Sequence, residues 1–289
     1  MKKILIPMLI ILSVNTACSE LSRSNPTDPQ SDNYIGITYK YSIGDFTGLA
    51  DFTMDETGHI FAIDAVSEVL YKYMNDGTLI WSTSSLYSSP TGICTDNSYV
   101  YMVKSGNSVL AISTAIDENT TDWFSFTLEK SGGKNIQTNG SGRIFVSNPQ
   151  ENIIEYYTIN GSSGSYSGKF GPVLGPAELS GLVWIRYSGG KIFAGEESGD
   201  ITVIDAATGS YIKKIDTEME INFFTVKNDA IIIPSAGGVS EFSYTSGSKL
   251  RTWGDFGNGS GRINAPGPAE KFNNDIYIGT EGTIKKFGP

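Results

Sequence analysis

The residues best suited to chemistry in this 289-residue chain are four glutamates that recur at one place in a repeated phrase. Each follows a short run that pairs Ile with Phe or Tyr, and the four are Glu68, Glu151, Glu196 and Glu281. If the repeated units surround a central channel, these carboxylates form a ring on one face that would hold a cation or a basic partner. The alternative is that they are solvated loop charges on an acidic protein.

An aromatic ring and a cation lie close together in the segment LVWIRY, as Trp184 and Arg186. Such a pair would line a binding pocket, because a guanidinium is attracted to the face of an indole ring. The alternative for Trp184 is packing between neighbouring sheets. Both residues join the four glutamates as candidates for a ligand-binding face.

The residues typical of catalytic and metal sites are scarce. The chain has a single histidine, His59, which lies beside a predicted hairpin turn and is expected to face solvent. The sequence contains neither a Gly-x-Ser-x-Gly nucleophile motif nor a zinc-spaced group of Cys and His. We therefore predict no catalytic residue, no metal ligand and no cofactor.

A repeated phrase in the sequence predicts the strands on which these residues lie. The landmark pairs are Ile60-Phe61, Val100-Tyr101, Ile144-Phe145, Ile192-Phe193, Ile231-Ile232 and Ile276-Tyr277, at intervals of 40, 44, 48, 39 and 45 residues. Intervals of this length, in units rich in β-branched and aromatic residues, are typical of propeller blades. The repeat predicts an all-β fold, a six-bladed β-propeller over residues 34–289.

The last unit supplies only three strands, in the segments AEKFN, DIYIG and TIKKF. A matching fourth strand occurs at the other end of the chain, where residues 39–46 parallel residues 250–256 and share their Gly-Asp-Phe exit. An incomplete blade would leave unpaired N–H and C=O groups at a sheet edge. We therefore predict that the N-terminal strand completes the last blade and closes the ring.

The N-terminus begins with Met1-Lys2-Lys3, and an apolar stretch of eleven residues follows at 4–14. This stretch is too short to span a bilayer and fits the core of a secretory signal. The next residues, Asn15-Thr16-Ala17-Cys18, resemble the processing signal of bacterial lipoproteins, although Asn15 stands where that family prefers Leu.

That resemblance implies a signal peptide over residues 1–17 and lipidation of Cys18, with palmitate among its acyl chains. Residues 18–33 are then a flexible tether. Ser19 is not the aspartate that retains enteric lipoproteins at the inner membrane, so the outer membrane is favoured. The alternative is an ordinary secreted protein.

Three places in the chain resemble the repeat of the NHL family. They are Gly142–Val146 together with Asn152–Tyr156, then Phe170-Gly171-Pro172, and then the glycine-rich link Phe256–Gly261. The resemblance implies a six-bladed propeller from a family whose members mostly bind other molecules, although some are lyases or hydrolases. The fourth unit, ITVIDAATGSYIKKI, looks as much like a quinoprotein-type repeat.

The charge balance excludes one class of partner. Without Lys2 and Lys3, 19 basic residues oppose 31 acidic ones, a net charge of −12. Because an acidic surface repels phosphate backbones, we expect no nucleic-acid partner.

These observations favour a monomeric, lipid-anchored module of the bacterial cell envelope that binds or scaffolds a protein or glycan partner. One alternative is an envelope hydrolase or lyase with its site at the mouth of the central channel. Another is a structural helper in envelope assembly.

Overall fold

The computed structural model describes residues 36–83, 89–105, 107–115, 123–175, 178–256 and 262–289. The predicted signal peptide (1–17) and tether (18–33), with Cys18, lie outside the described residues and remain predictions. In the described part of the chain, no helix has the length and apolarity needed to cross a bilayer.

The described residues form β-strands joined by turns and loops. In chain order the strands are β1 (Thr38–Ile43), β2 (Leu49–Met54), β3 (Ile60–Asp64), β4 (Val69–Tyr73), β5 (Leu79–Ser82), β6 (Pro90–Thr95), β7 (Tyr99–Lys104), β8 (Ser108–Ser113), β9 (Trp123–Thr127), β10 (Ile136–Thr138), β11 (Arg143–Asn148), β12 (Ile153–Ile159), β13 (Gly164–Phe170), β14 (Leu182–Ser188), β15 (Lys191–Glu196), β16 (Asp200–Asp205), β17 (Tyr211–Asp216), β18 (Thr225–Lys227), β19 (Ala230–Ser235), β20 (Gly238–Ser243), β21 (Lys249–Trp253), β22 (Asp255–Phe256), β23 (Arg262–Ile263), β24 (Ala269–Phe272), β25 (Asp275–Thr280) and β26 (Thr283–Gly288).

Six four-stranded sheets confirm the predicted six-bladed β-propeller. Blades one to five are β2–β5, β6–β9, β10–β13, β14–β17 and β18–β21, and blade six has the order β1-β26-β25-β24. Neighbouring strands within a blade are antiparallel, as in the pairs β2–β3, β11–β12 and β15–β16. The link before blade six also holds a short parallel pair, β22 with β23, which the sequence did not predict.

The predicted closure of the ring is confirmed. Strand β1 pairs antiparallel with β26, with Thr38 opposite Gly288 and Ile43 opposite Ile284. The Lys286 ammonium lies 3.0 Å from Asp275 Oδ2 and donates to the Tyr41 hydroxyl at 3.1 Å, which ties the two chain ends together. This pairing covers the edge that three strands alone would leave open.

The amino-acid pattern of each strand follows from its place in the blade. Second strands are buried on both faces, because each blade packs against a neighbour on either side, and all five residues of β3 are buried. Fourth strands lie at the rim, and β9 (WFSFT) alternates exposed and buried residues along its length. The period of two in β9 is that of a strand with one solvated face.

The hydrophobic core consists of six clusters, one between each pair of neighbouring blades. Blades one and two share the cluster that contains Phe61 and Met102, and blades six and one share the cluster that contains Tyr277 and Phe52. The other four clusters join blades two to three, three to four, four to five and five to six. Each blade is therefore held by two apolar interfaces.

The first strands of the blades contact one another around the ring and surround the central channel. One end of the ring carries the turns between first and second strands, and we call it the turn end. The opposite end carries the loops between second and third strands and the links between blades, and we call it the link end. All four glutamates of the candidate ligand face lie at the link end.

Candidate functional site

Polar side chains from the first strands fill the central channel. Buried among them are Asp51 of blade one, Asn135 and Gln137 of blade three and Arg186 of blade four. Most make hydrogen bonds to the backbone of another blade. Asp51 Oδ2 accepts from the Ile93 amide of blade two at 3.0 Å, and Asn135 Oδ1 accepts from the Ile185 amide of blade four at 3.2 Å.

Arg186 connects three blades. Its Nε donates to the Phe224 carbonyl of blade five at 2.9 Å, and its Nη2 donates to the Ala269 carbonyl of blade six at 2.9 Å. Its Nη1 donates to Glu270 Oε1 at 2.7 Å in a salt bridge whose arginine side chain is 4% exposed. The guanidinium therefore uses its donors to link blade four to blades five and six.

The two carboxyl groups of the channel share this single guanidinium. Burial raises the pKa of Asp51 to about 7, and the charge of Arg186 opposes that rise. Burial also raises the pKa of Glu270, again opposed by Arg186. The Phe52 amide donates to Asp51 Oδ1 at 2.9 Å, and a longer bond of 3.5 Å joins Asn135 Nδ2 to Asp51 Oδ2. The Ile93 and Phe52 amides stabilise the ionised form of Asp51, so they limit the rise of its pKa.

At the turn end the channel opens into a cavity of about 480 Å³, which we call the mouth. Glu270 and Thr225 belong both to the channel network and to the wall of the mouth. Every blade contributes to this wall, with Asp55, Asn97, Asn139, Tyr187, Lys227 and Lys271 coming from blades one to six in turn.

Two aspartates at the mouth are already bound within their own turns. Asp55 Oδ2 lies 2.9 Å from His59 Nδ1, and Asp55 Oδ1 accepts from the amides of Thr57 and His59. Burial raises the pKa of Asp55, but these bonds outweigh burial and lower it overall. Asp96 likewise accepts from the Tyr101 hydroxyl at 2.8 Å and from the Tyr99 amide at 2.8 Å. Both carboxylates shape turns.

His59 differs from the sequence expectation of a solvent-facing side chain. Its side chain is 32% exposed, and its Nδ1 faces the Asp55 carboxylate and the Thr57 hydroxyl. The turn between the first two strands brings residues 55 and 59 together, which explains the pairing. Among the described residues, no group of three His, Cys, Asp or Glu side chains is arranged to hold a metal ion.

The four predicted glutamates share the link end but have different surroundings. Glu151 and Glu281 are exposed, and Glu281 Oε2 accepts from Asn264 Nδ2 at 3.2 Å. Glu68 Oε1 accepts from the Ser89 amide at 3.2 Å. Glu196 is instead buried within blade four, where it receives a hydrogen bond from Thr202 and lies 3.2 Å from Lys214 Nζ. Its carboxylate is therefore neither solvated nor turned toward a ligand.

The pair Trp184 and Arg186 is brought together, with the guanidinium carbon 5.7 Å from the indole ring. Trp184 is buried and packs edge-on against Phe223 at 4.9 Å between blades four and five, as its alternative interpretation stated. Sequence reasoning missed the channel roles of Asp51, Asn135 and Glu270. A signal was present, because each is a polar residue in or beside a predicted inner strand, where an apolar side chain is the usual choice.

No protein-family model matches the chain, and no curated protein matches it. Among solved structures, the chain is similar to the WD40 β-propeller domain of Doa1, with a TM-score of 0.61, 9% identity and coverage of 88% of this chain and 97% of that one. It is also similar to the computationally designed Ika8 protein, with a TM-score of 0.53, 11% identity and coverage of 86% and 98%. Identities this low show likeness of fold alone, and the fold is a β-propeller.

Proposed function

We propose that this propeller is a binding or scaffolding module for a protein or glycan partner, lipid-anchored in the bacterial cell envelope. The observation that carries the proposal is the interlocked channel, in which side chains of one blade bond to the backbone of another. Such bonds make the ring a rigid frame, and a rigid frame that displays loops at both ends is suited to recognition.

The same contacts disfavour the alternative of a hydrolase or lyase at the channel mouth. An enzyme of that kind needs acid and base groups that reach the substrate. Asp51 has no exposed surface, and Glu270, 18% exposed, is held by Arg186. Asp55 and Asp96 are occupied in their turns. Three of the described carboxylates of the mouth, Asp55, Asp96 and Glu270, thus have structural partners.

The proposed lipid anchor is supported by the sequence alone, in which Cys18 follows a short apolar signal. The likeness to NHL repeats supports a role in binding in the same way, through residues 142–146 and 152–156. We expect radiolabelled palmitate to enter the wild-type protein and the protein to sediment with outer membranes. Cys18→Ser should abolish both, and a C18S variant that still sediments with membranes would contradict lipid anchoring.

The partner is tested by photo-crosslinking in intact cells, with a crosslinking residue placed at one exposed position at each end of the ring. Glu151 reports on the link end and Asn273 on the turn end. We expect one of the two to capture a discrete partner that the other does not. Capture at neither position, with both variants folded and correctly localised, would oppose the proposal. Turnover of an envelope substrate by the purified protein would replace binding with catalysis.

A further inference from the structure

We propose that the mouth binds a saccharide, as a single sugar or as the end of a glycan chain. This inference rests on the proposed binding function and names the ligand of one end of the ring. It differs from the sequence prediction, which placed the ligand face at the link end. Four properties of the mouth support a saccharide: its size, its free hydrogen-bonding groups, its charge and its aromatic side chains.

The size and position of the mouth suit a small ligand. Its volume of about 480 Å³ lies within the range of roughly 300–1,000 Å³ usual for ligand pockets. All six blades contribute to its wall, so the cavity is as rigid as the ring itself. A pre-formed site binds without the cost of ordering loops.

The groups left free to bond at the mouth are mainly amides and ammonium groups. Lys271 and Asn273 line the mouth, and among the described residues neither side chain has a hydrogen-bond partner. Asn97 and Asn139 use their Oδ1 atoms to accept from turn amides, which leaves their Nδ2 groups available. The free Nδ2 and ammonium groups donate, the Asn273 amide oxygen accepts, and hydroxyl groups do both, so a ligand with several hydroxyl groups matches this wall.

The charge of the mouth favours a ligand that is neutral overall. The carboxylates of Asp55, Asp96 and Glu270 are already bonded to His59, Tyr101 and Arg186. Lys227 and Lys271 come from blades five and six, and Glu56 comes from blade one, which adjoins blade six. Because both signs are present, the mouth does not have the single-sign field that would select a strong cation or anion.

Aromatic side chains add an apolar component. Phe272 and Tyr187 are half-buried in the wall, and Lys227 Nζ lies 5.7 Å from the centre of the Phe272 ring. Tyr187 is held parallel to Phe145, with ring centres 5.8 Å apart. Sugars present a C–H face as well as hydroxyl groups, and aromatic rings pack against such faces. This combination distinguishes a saccharide from a simple ion.

The test uses the full chain in detergent and a panel of probes measured by calorimetry and saturation-transfer NMR. The probes are glucose, galactose, N-acetylglucosamine and the β-1,4-linked disaccharides of glucose and N-acetylglucosamine. We expect at least one to bind with a Kd of roughly 1 mM or tighter. Lys271→Gln should weaken that binding about tenfold, as loss of one charged hydrogen bond predicts.

The matched pair of variants is Asn273→Gly and Asn228→Gly. Both asparagines are exposed, both lie in the turn between a first and a second strand, and their φ angles are 53° and 56°. Glycine tolerates this left-handed conformation, so neither change strains the turn. Only Asn273 lines the mouth. We expect N273G to weaken saccharide binding and N228G to leave it unchanged, with equal melting temperatures.

Failure of every probe to bind would overturn the inference, as would equal weakening by N273G and N228G. If probes fail while crosslinking in cells captures a protein partner, the saccharide assignment falls and the binding function stands. If a probe binds and is converted to product, the mouth is confirmed as a saccharide site and the binding function is replaced by catalysis. Glycine, with a separate ammonium and carboxylate, serves as a further probe, and its preferential binding would show an amino-acid or peptide site instead.

Discussion

At the scale of single residues, the main result is the position of Arg186. An arginine in the inner strand LVWIRY suggested a pocket, and the structure shows a guanidinium that ties blades four, five and six together. A buried charge is tolerated only when it is paired and its donors are satisfied. Here Arg186 Nε, Nη1 and Nη2 each have an acceptor.

Arg186→Met should therefore lower the free energy of unfolding by about 3–5 kcal/mol, because it leaves the Glu270 carboxylate without its buried partner. The double variant Arg186→Met/Glu270→Met should recover part of that loss. Urea unfolding followed by tryptophan fluorescence measures both. Arg251→Met is the control, since Arg251 is 41% exposed in its pair with Glu241 and should change stability by about 1 kcal/mol or less. Equal effects of R186M and R251M would contradict this account.

The raised pKa of Asp51 makes stability depend on pH. The folded protein holds a proton on Asp51 up to about pH 7, whereas the unfolded chain releases it near 3.8. Between these values the folded state binds more protons, so the contribution of Asp51 to stability is greatest in acid and falls as pH rises, by about 1.4 kcal/mol per pH unit.

Asp51→Asn should remove the part of the pH dependence of the free energy of unfolding that comes from this carboxyl. The measurement is the free energy of unfolding of wild type and D51N at several pH values between 4.5 and 8, because the difference between the two curves isolates this carboxyl. A difference that does not change with pH would show that Asp51 titrates normally. An absolute loss of stability in D51N does not affect the test, which uses the slope alone.

The channel network was beyond sequence reasoning for a physical reason. Asp51, Asn135 and Glu270 bond to blades that lie far away in the sequence, and Asn135 and Ile185 are 50 residues apart. Such partners are fixed only when the ring closes. The burial of Trp184 could be foreseen, because a large apolar side chain on a strand is usually buried whatever its neighbours are.

At the scale of strands and turns, the sequence predicted more of the structure than it did for single residues. The second strands are short apolar runs that can be recognised in the sequence, and the landmark pairs lie in β3, β7, β11, β15, β19 and β25. Their apolar character arises from contact with two neighbouring blades and is therefore repeated in every unit. The short β22–β23 pair was not foreseen, because a strand of two residues has no periodicity to detect.

The first strands of neighbouring blades approach so closely that one position, Gly92, has no room for a side chain. A Cβ atom placed on Gly92 of β6 would lie 2.6 Å from the Lys134 carbonyl oxygen and 2.8 Å from Asn135 Cα. Both are backbone atoms of blade three, and unlike a side chain they cannot move to another rotamer. Gly92→Ala should therefore force blades two and three apart and cost about 1–3 kcal/mol.

Gly237→Ala is the matched control for this prediction. Its added Cβ would meet only Ser235 Oγ, at 3.9 Å, and the position is exposed. Thermal unfolding of the two variants beside wild type decides the matter. We expect a clear fall in Tm for G92A and none for G237A, and an unchanged Tm for G92A would show that the first strands have room to move.

At the scale of the whole molecule, the six interblade clusters form an unbroken circle. The period of the landmark phrase and the missing strand of the last unit were enough to predict six blades and the closing strand. Which end of the ring carries a ligand site could not be predicted in the same way, because both ends display polar loops and only the three-dimensional wall shows a cavity.

Removal of the closing strand tests this architecture. Deletion of residues 34–46 should expose the edge of β26 and the buried side chain of Phe287, so we expect aggregation or a fall in Tm of more than about 10 °C. Deletion of the predicted tether segment 19–33 is the control and should leave the melt unchanged. Light scattering and thermal unfolding of both deletions provide the measurement, and coincident melts for the two would exclude closure by β1.

The joining of distant chain segments in blade six also has a bearing on biosynthesis. Tyr41 and Lys286, which meet across β1 and β26, are 245 residues apart. During translation β1 emerges early and waits, without its sheet neighbours, until the last strands leave the ribosome. A product terminated before residue 269 lacks β24, β25 and β26, including the strand that pairs with β1, so its ring stays open and β1 has no strand partner. Completion of synthesis is thereby a condition for closure of the ring.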